Sequence, residues 1–174
     1  MKNPIKIREE SPADHAAVYS LLASAFGRED EAKLVERLRA STAYIPELCL
    51  VAEHAKNGIV GYIQFTHVHI AGKQSYPSLA LAPMAVTPGY QNTGIGSLLV
   101  QAGLTRAREI GYQSVIVLGH QEYYPRFGFR PASAWGIFCP FEVPDEAFMA
   151  IELEKGALNA KAGTVVYSPA FNLP

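Results

Sequence analysis

Two short stretches of this chain hold the residues best suited to chemistry. The first is Gln91-Asn92-Thr93-Gly94-Ile95-Gly96-Ser97, which follows an apolar run ending Pro83-Met84-Ala85-Val86 and opens a segment with helical spacing. A strand that turns into a helix through glycines leaves backbone N–H groups unpaired at the positive end of a helix dipole, a ready site for phosphate. Gly94 and Gly96 remove side chains where a bulky anion must approach the backbone. This stretch points to a phosphorylated cofactor. The second stretch is His120-Gln121-Glu122-Tyr123-Tyr124, directly after the apolar run Val115-Ile116-Val117-Leu118. Its imidazole, carboxylate and phenols are groups that move protons.

Two common nucleotide motifs do not fit the first stretch. A Walker loop needs Gly-Lys-Ser/Thr after its glycines, and Gly96-Ser97-Leu98 has no lysine. A dinucleotide fingerprint needs a third glycine, where Leu99 stands, and an acidic residue about 20 positions on. Ser114 and Gly119 lie near that distance instead. His67 and His69 share a strand face by the two-residue period, so a metal pair is conceivable there. No third ligand has matching spacing, and no metal is expected.

The elements that must position these residues can be read from periodicity. Ile5–Arg8 alternates as a strand does, and Ser11-Pro12-Ala13-Asp14 opens a helix whose stripe is Val18, Leu21, Leu22 and Ala25. A second helix after Gly27 carries Leu34, Val35 and Leu38 on one face, and Arg28-Glu29-Asp30-Glu31 starts it. Strands over 48–53 and 59–70 meet at an Asn57-Gly58 turn. A further strand covers 78–86. Pro83 cannot donate to a sheet ladder, so the spacing predicts a bulge there, with backbone near Met84–Val86 left for an extended ligand. Ile95, Leu98, Leu99 and Ala102 form the face of the next helix, which Gly111 ends. Val115–Leu118 reads as a strand buried on both faces. A helical turn over 123–127 and late strands over 148–153 and 164–167 complete an α+β chain around a mixed sheet, expected to be one domain over 1–174.

Composition narrows the class further. Of the 174 residues 49% are apolar, and the formal net charge is −1, which suits a globular protein and gives no basic face for nucleic acid. No run approaches the roughly 18 apolar residues of a membrane span, and the N-terminus lacks the apolar core of a signal peptide. Cys49 and Cys139 form no CxxC pair, so a reduced, cytoplasmic setting is expected without a disulfide framework.

The pattern Gln91-x-x-Gly94-x-Gly96 after a strand ending Met84-Ala85-Val86-x-Pro88 resembles the acetyl-CoA signature of the GNAT N-acetyltransferase superfamily. Tyr124-Pro125-Arg126-Phe127-Gly128-Phe129 is similar to its Tyr-x-x-x-Gly-Phe element. Gly111-Tyr112, Val117-Leu118-Gly119-His120, Phe148-Met149-Ala150 and Gly163–Tyr167 look most like the YhbS-like branch. The resemblance implies the GNAT acyl-CoA N-acyltransferase fold, a mixed central sheet flanked by helices with a splayed, bulged central strand. It implies acetyl transfer from acetyl-CoA to an amine of a small molecule or a protein, with room for a homodimer. By the same resemblance, Met84, Ala85 and Val86 hold the pantetheine arm. Gln91, Asn92, Thr93, Gly94, Ile95, Gly96 and Ser97 hold the pyrophosphate.

Tyr124 stands at the position of the family's general acid, and Tyr123 beside it packs or touches substrate. His120 and Glu122 are both candidates for the base, with Glu53 a weaker third. Arg126 reaches either a cofactor phosphate or plain solvent. Neither cysteine sits in the signature, so transfer is expected to be direct. Two rival readings keep the same loop: a protein that senses acyl-CoA without turnover, and an acyltransferase for another acyl group or acceptor.

Overall fold

The structure, a computed structural model, describes residues 4–173. Its elements run β1 (Ile5–Glu9), α1 (His15–Phe26), α2 (Asp30–Arg39), β2 (Cys49–His54), β3 (Gly58–Ala71), β4 (Ser75–Val86), α3 (Ile95–Glu109), β5 (Ser114–Leu118), β6 (Arg130–Pro131), β7 (Ile137–Phe138), β8 (Phe148–Glu152) and β9 (Gly163–Val166). All nine strands join one sheet, ordered β1-β2-β3-β4-β5-β8-β6, with β9 beside the far part of β3 and β7 beside β9. Neighbours in the main order are antiparallel except β4 and β5, which are parallel, so the sheet is mixed as expected. Among the described residues no helix is long and apolar enough to cross a membrane.

Pro83 has the predicted effect. In the β3–β4 ladder Ile63 faces Met84 but Phe65 faces Leu81, so β4 carries an extra residue across this interval. A bulge of this kind bends the strand and sharpens its twist. On its other edge β4 pairs with β5 only at Leu79–Val115 and Ala80–Ile116. Beyond Ala80 the two strands part, and β5 continues with β8 as its only ladder partner, through Leu118–Phe148. Leu118 is therefore 42% exposed, not buried as its apolar run suggests, because the strand that would cover one side has moved away.

The helices cover the two faces. Helix α3 lays Ile95, Leu99, Val100, Leu104 and Ala107 against Phe65, Leu79, Leu81, Val115 and Val117. The buried stripe is one residue off the expected one, since Leu98 is 36% exposed and Ala102 only partly buried. Gly103 explains the shift: a Cβ there would lie 2.2 Å from the Phe65 ring, so the helix comes closest to the sheet along its glycine. The helix ends as expected, with Tyr112 N–H donating to the Ala107 carbonyl and Gly111 N–H to that of Arg108, at 3.0 and 3.1 Å. On the opposite face α1 and α2 bring Val18, Leu21, Leu22, Ala32 and Val35 onto Val51, Tyr62 and Ala85.

Two ionic contacts tie the N-terminal helices to the sheet. The Glu10 side chain is almost wholly buried and accepts from Arg39 Nε and Nη2 at 3.1 and 2.8 Å, with the Tyr62 hydroxyl at 3.3 Å. Asp14, at the start of α1, accepts from both terminal nitrogens of Arg8 at 2.8 and 3.0 Å and from Ser11 N–H at 2.7 Å. The Arg8 hydrogen bonds hold the Asp14 carboxyl at a pKa of about 2, below its ordinary 3.8. A depressed folded-state pKa stabilises the fold above the unfolded value and loses that contribution as pH falls through the folded one. Asp14→Asn should therefore lower stability by about 2 kcal/mol at pH 5–7. In urea melts of both proteins, the gap should close between about pH 4 and pH 2.

Candidate active site

The cleft opens where β4 and β5 part. Leaving β4 at Val86, the chain makes one 3-10 turn over Pro88–Tyr90 and then enters α3 through Asn92 and Gly94, both with positive φ (62° and 90°). That conformation is strained for most side chains, and glycine suits it at the N-cap. The first helical bond of α3 runs from Leu98 N–H to the Gly94 carbonyl (3.1 Å), so the N–H groups of Ile95, Gly96 and Ser97 precede the ladder. The loop is braced from outside. Asn57 donates to the Tyr90 hydroxyl, Thr93 donates to the Tyr90 carbonyl, and the Gln91 side-chain amide donates to the Val86 carbonyl at 3.0 Å.

Several predicted residues come together on a cleft of about 590 Å³. Met84, Ala85 and Val86 form one wall, and Gln91, Asn92, Gly94, Gly96 and Ser97 form its end. His120 faces them from the chain that leaves β5. Gly96 is the point of closest convergence. A Cβ there would sit 3.0 Å from the Tyr123 hydroxyl, 3.7 Å from Met84 Cε and 3.8 Å from Val86 Cγ2.

Other predicted residues lie outside the lining. Ile95 turns its side chain into the core, leaving only its backbone to the loop. The Thr93 hydroxyl is bound to the Tyr90 carbonyl, and Glu122 is exposed. Glu53, the third candidate base, accepts on β2 from Nε of Arg8 in the neighbouring strand β1 at 3.0 Å, and its carboxylate is thereby committed to an ion pair. In the acidic stretch, Glu31 pairs with Arg28 at 2.7 Å and Glu29 accepts from Tyr19 at 3.0 Å. Glu29 thus ties α1 to the start of α2, and Glu31 holds the turn that precedes α2. His67 bonds to the Tyr112 hydroxyl at 3.2 Å, and among the described residues no group of three or more His, Cys, Asp or Glu could hold a metal ion.

The adjacent tyrosines face different surroundings. Tyr123 lines the cleft, whereas Tyr124 is 7% exposed and packs edge-on against Tyr123 and Phe129, with ring centroids 5.1 and 5.6 Å away. Burial pushes the Tyr124 phenol well above its ordinary pKa, so it keeps its proton at neutral pH. Both tyrosine N–H groups donate to the His120 carbonyl, at 3.1 and 3.3 Å, which fixes imidazole and phenols in one turn. Ala25, on the expected α1 stripe, and Phe26 also line the cleft, though neither is among the expected site residues. The available signal was a large aromatic residue in the last turn of α1, four positions after Leu22 on the same stripe and directly before Gly27.

A sheet that opens beside a bulged strand, with a glycine loop at the mouth of the opening, defines an acyltransferase-type architecture. The chain belongs to the acetyltransferase (GNAT) family, whose model matches residues 15–129. It is 35% identical over 166 residues to the uncharacterized N-acetyltransferase YhbS of Escherichia coli (strain K12), covering 95% of this chain and 98% of that protein. The crystal structure of Escherichia coli YhbS in complex with CoA superposes with a TM-score of 0.91 at 34% identity, covering 98% of this chain and 93% of the other. A GNAT family acetyltransferase from Brucella melitensis in complex with acetyl-CoA gives 0.78 at 30% identity, covering 96% and 97%.

Gly119 supports the tyrosine turn by having no side chain, since a Cβ there would lie 2.4 Å from the Tyr124 ring. Gly119→Ala should overpack this point and lower stability by about 1–3 kcal/mol in urea unfolding, with native far-UV circular dichroism retained.

Proposed function

We propose that the protein takes an acetyl group from acetyl-CoA in this cleft and passes it directly to an amine of a small molecule or a protein. The observation that carries the reading is the edge of β4 past Ala80, free of β5, which leads through the Pro88–Tyr90 turn to the N–H groups at the start of α3. Such an edge can pair with an extended, amide-bearing arm as an added strand does. The residues present fit that ligand: Gly96 leaves open a point where a side chain would meet Tyr123, and the neighbouring wall of Met84 and Val86 is apolar.

Acetyl-CoA supplies a thioester carbonyl open to attack by an amine, with a thiolate as the leaving group. In this reading Met84, Ala85 and Val86 hold the pantetheine arm, and a β4 N–H polarises the carbonyl oxygen. The loop from Gln91 to Ser97 holds the pyrophosphate through backbone N–H groups. His120 removes the ammonium proton, a role supported by its place on the cleft wall, whereas Glu122 is exposed outside it. Tyr124 keeps a proton on its phenol oxygen for the end of the reaction, supported by its burial. Cys49 and Cys139 are free thiols and neither lines the cleft, which favours direct transfer over a covalent acetyl-enzyme. The same free thiols support a cytoplasmic setting.

A second assignment gives the phenol role to Tyr123, because that ring lines the cleft. Its hydroxyl lies over Gly96, at the anion end of the site, while Tyr124 lies behind it outside the lining. What supports Tyr124 is its place in the Tyr-x-x-x-Gly-Phe element. The two are separated by kinetics on Tyr124→Phe and Tyr123→Phe, following free thiol released from acetyl-CoA across an amine panel with hydrolysis measured apart. Loss of a general acid costs about 10²–10⁴-fold in rate, roughly 3–5 kcal/mol of barrier. Tyr124→Phe should show this loss in kcat, and Tyr123→Phe a much smaller one. The opposite ranking moves the acid to Tyr123, and full activity in both variants removes the acid from this turn. Gly96→Val should fold normally yet bind CoA at least tenfold more weakly in calorimetry, about 1.4 kcal/mol.

A further inference from the structure

The loop over 87–97 contains no lysine, arginine or histidine. Gln91 turns its side-chain amide back onto the Val86 carbonyl at 3.0 Å. A helix N-terminus supplies only about half a unit of positive charge, whereas a pyrophosphate with a 3′-phosphate is a polyanion. Of the side chains lining the cleft, one carries a permanent positive charge, Arg126.

The geometry holds this guanidinium at the anion end. Its central carbon lies 4.5 Å from the centroid of the Tyr123 ring, and Nε donates to the Tyr123 carbonyl at 3.3 Å. Among the described residues no carboxylate pairs with it, unlike Arg8, Arg28, Arg39 and Arg106. The Tyr123 hydroxyl lies beside Gly96 in the first turn of α3, so one aromatic ring spans from the anion-binding amides to the guanidinium. Stacking fixes the plane of the guanidinium and leaves its two terminal nitrogens unused. Two free donors in a planar fork match phosphate oxygens.

We propose that Arg126, held over Tyr123, is a phosphate-binding residue of the cofactor site and supplies the fixed charge that the glycine loop lacks. The proposal rests on the acetyl-CoA reading of the cleft and assigns a ligand group to a side chain outside the family's loop pattern. It also gives Tyr123 a positioning role distinct from that of Tyr124.

The test is calorimetric titration of wild type and Arg126→Gln with CoA, 3′-dephospho-CoA and pantetheine, at low and moderate salt. Arg126 is exposed, so the variant should melt like wild type. The CoA Kd should rise about tenfold or more, and the salt dependence of CoA binding should flatten, while pantetheine affinity stays unchanged. A loss that vanishes with 3′-dephospho-CoA puts the contact on the 3′-phosphate; a loss that persists puts it on the pyrophosphate. An unchanged CoA Kd, or an equal loss for pantetheine, overturns the role of Arg126 and leaves the cleft reading standing. Failure of the wild type to bind CoA overturns the cleft reading, and this proposal with it.

Discussion

Between β4 and β5 the sheet holds two paired positions, Leu79–Val115 and Ala80–Ile116, and then divides. The site depends on that division. Buried backbone N–H and C=O groups are almost always paired, so a central strand with one free edge is a standing demand for a partner. The bulge near Pro83 turns β4 away from β5, and helix α3 props the opening from one face through Ile95, Leu99 and Val100. The chain then places its glycines at the mouth of the opening, where the N–H groups of Ile95, Gly96 and Ser97 precede the helix ladder. Strand edge and helix terminus thus line one cleft, separated by the turn over Pro88–Tyr90, with the Val86 carbonyl already taken by the Gln91 amide.

The opposite face of the sheet makes the second wall. Glu10 and Arg39 form a buried ion pair under the Tyr62 hydroxyl, and Tyr62 stands opposite Ala85 in the β3–β4 ladder. Such a pair is a weak source of net stability but a strong constraint on arrangement, because removing one partner strands a buried charge. Its position links the end of β1 and the end of α2 to β3, the strand paired with the cleft strand β4. Asp14 and Arg8 lock the entry of α1 in a similar way. With both ends of the helical pair tied down, Phe26 is delivered to the cleft from the last turn of α1.

Much of this was legible in the sequence where a single residue type forces a local outcome. Pro83 announced the bulge, Asn57-Gly58 the hairpin, and Gly94-x-Gly96 the loop, because each depends on nearby backbone and little else. Local patterns did not reveal distances between segments far apart in the chain. The face of α3 was misplaced by one residue because only the Phe65 ring, brought in by another strand, makes Gly103 the point of approach. Leu118 looked buried because nothing within Val115–Leu118 records that β4 departs. The same limit applies to Tyr123 and Tyr124, adjacent and identical in type, whose separation into a cleft-lining and a buried ring is decided by Gly96, Gly119 and Phe129.

The narrow seam between β4 and β5 is also a place where the sheet is held together by very few ladder positions. On one side β2, β3 and β4 form a meander of long antiparallel ladders; on the other β5, β8 and β6 form a smaller one. Past Ala80 no ladder joins β4 to β5, so this stretch can widen while the β3–β9–β7 ladders still tie the C-terminal strands to β3. Side chains of α3 and of both strands share one core across the seam, Leu79 and Leu81 with Val115, Val117 and Leu99. A ligand lying along the β4 edge would act as a removable rung, joining two plates that the protein itself leaves only partly riveted.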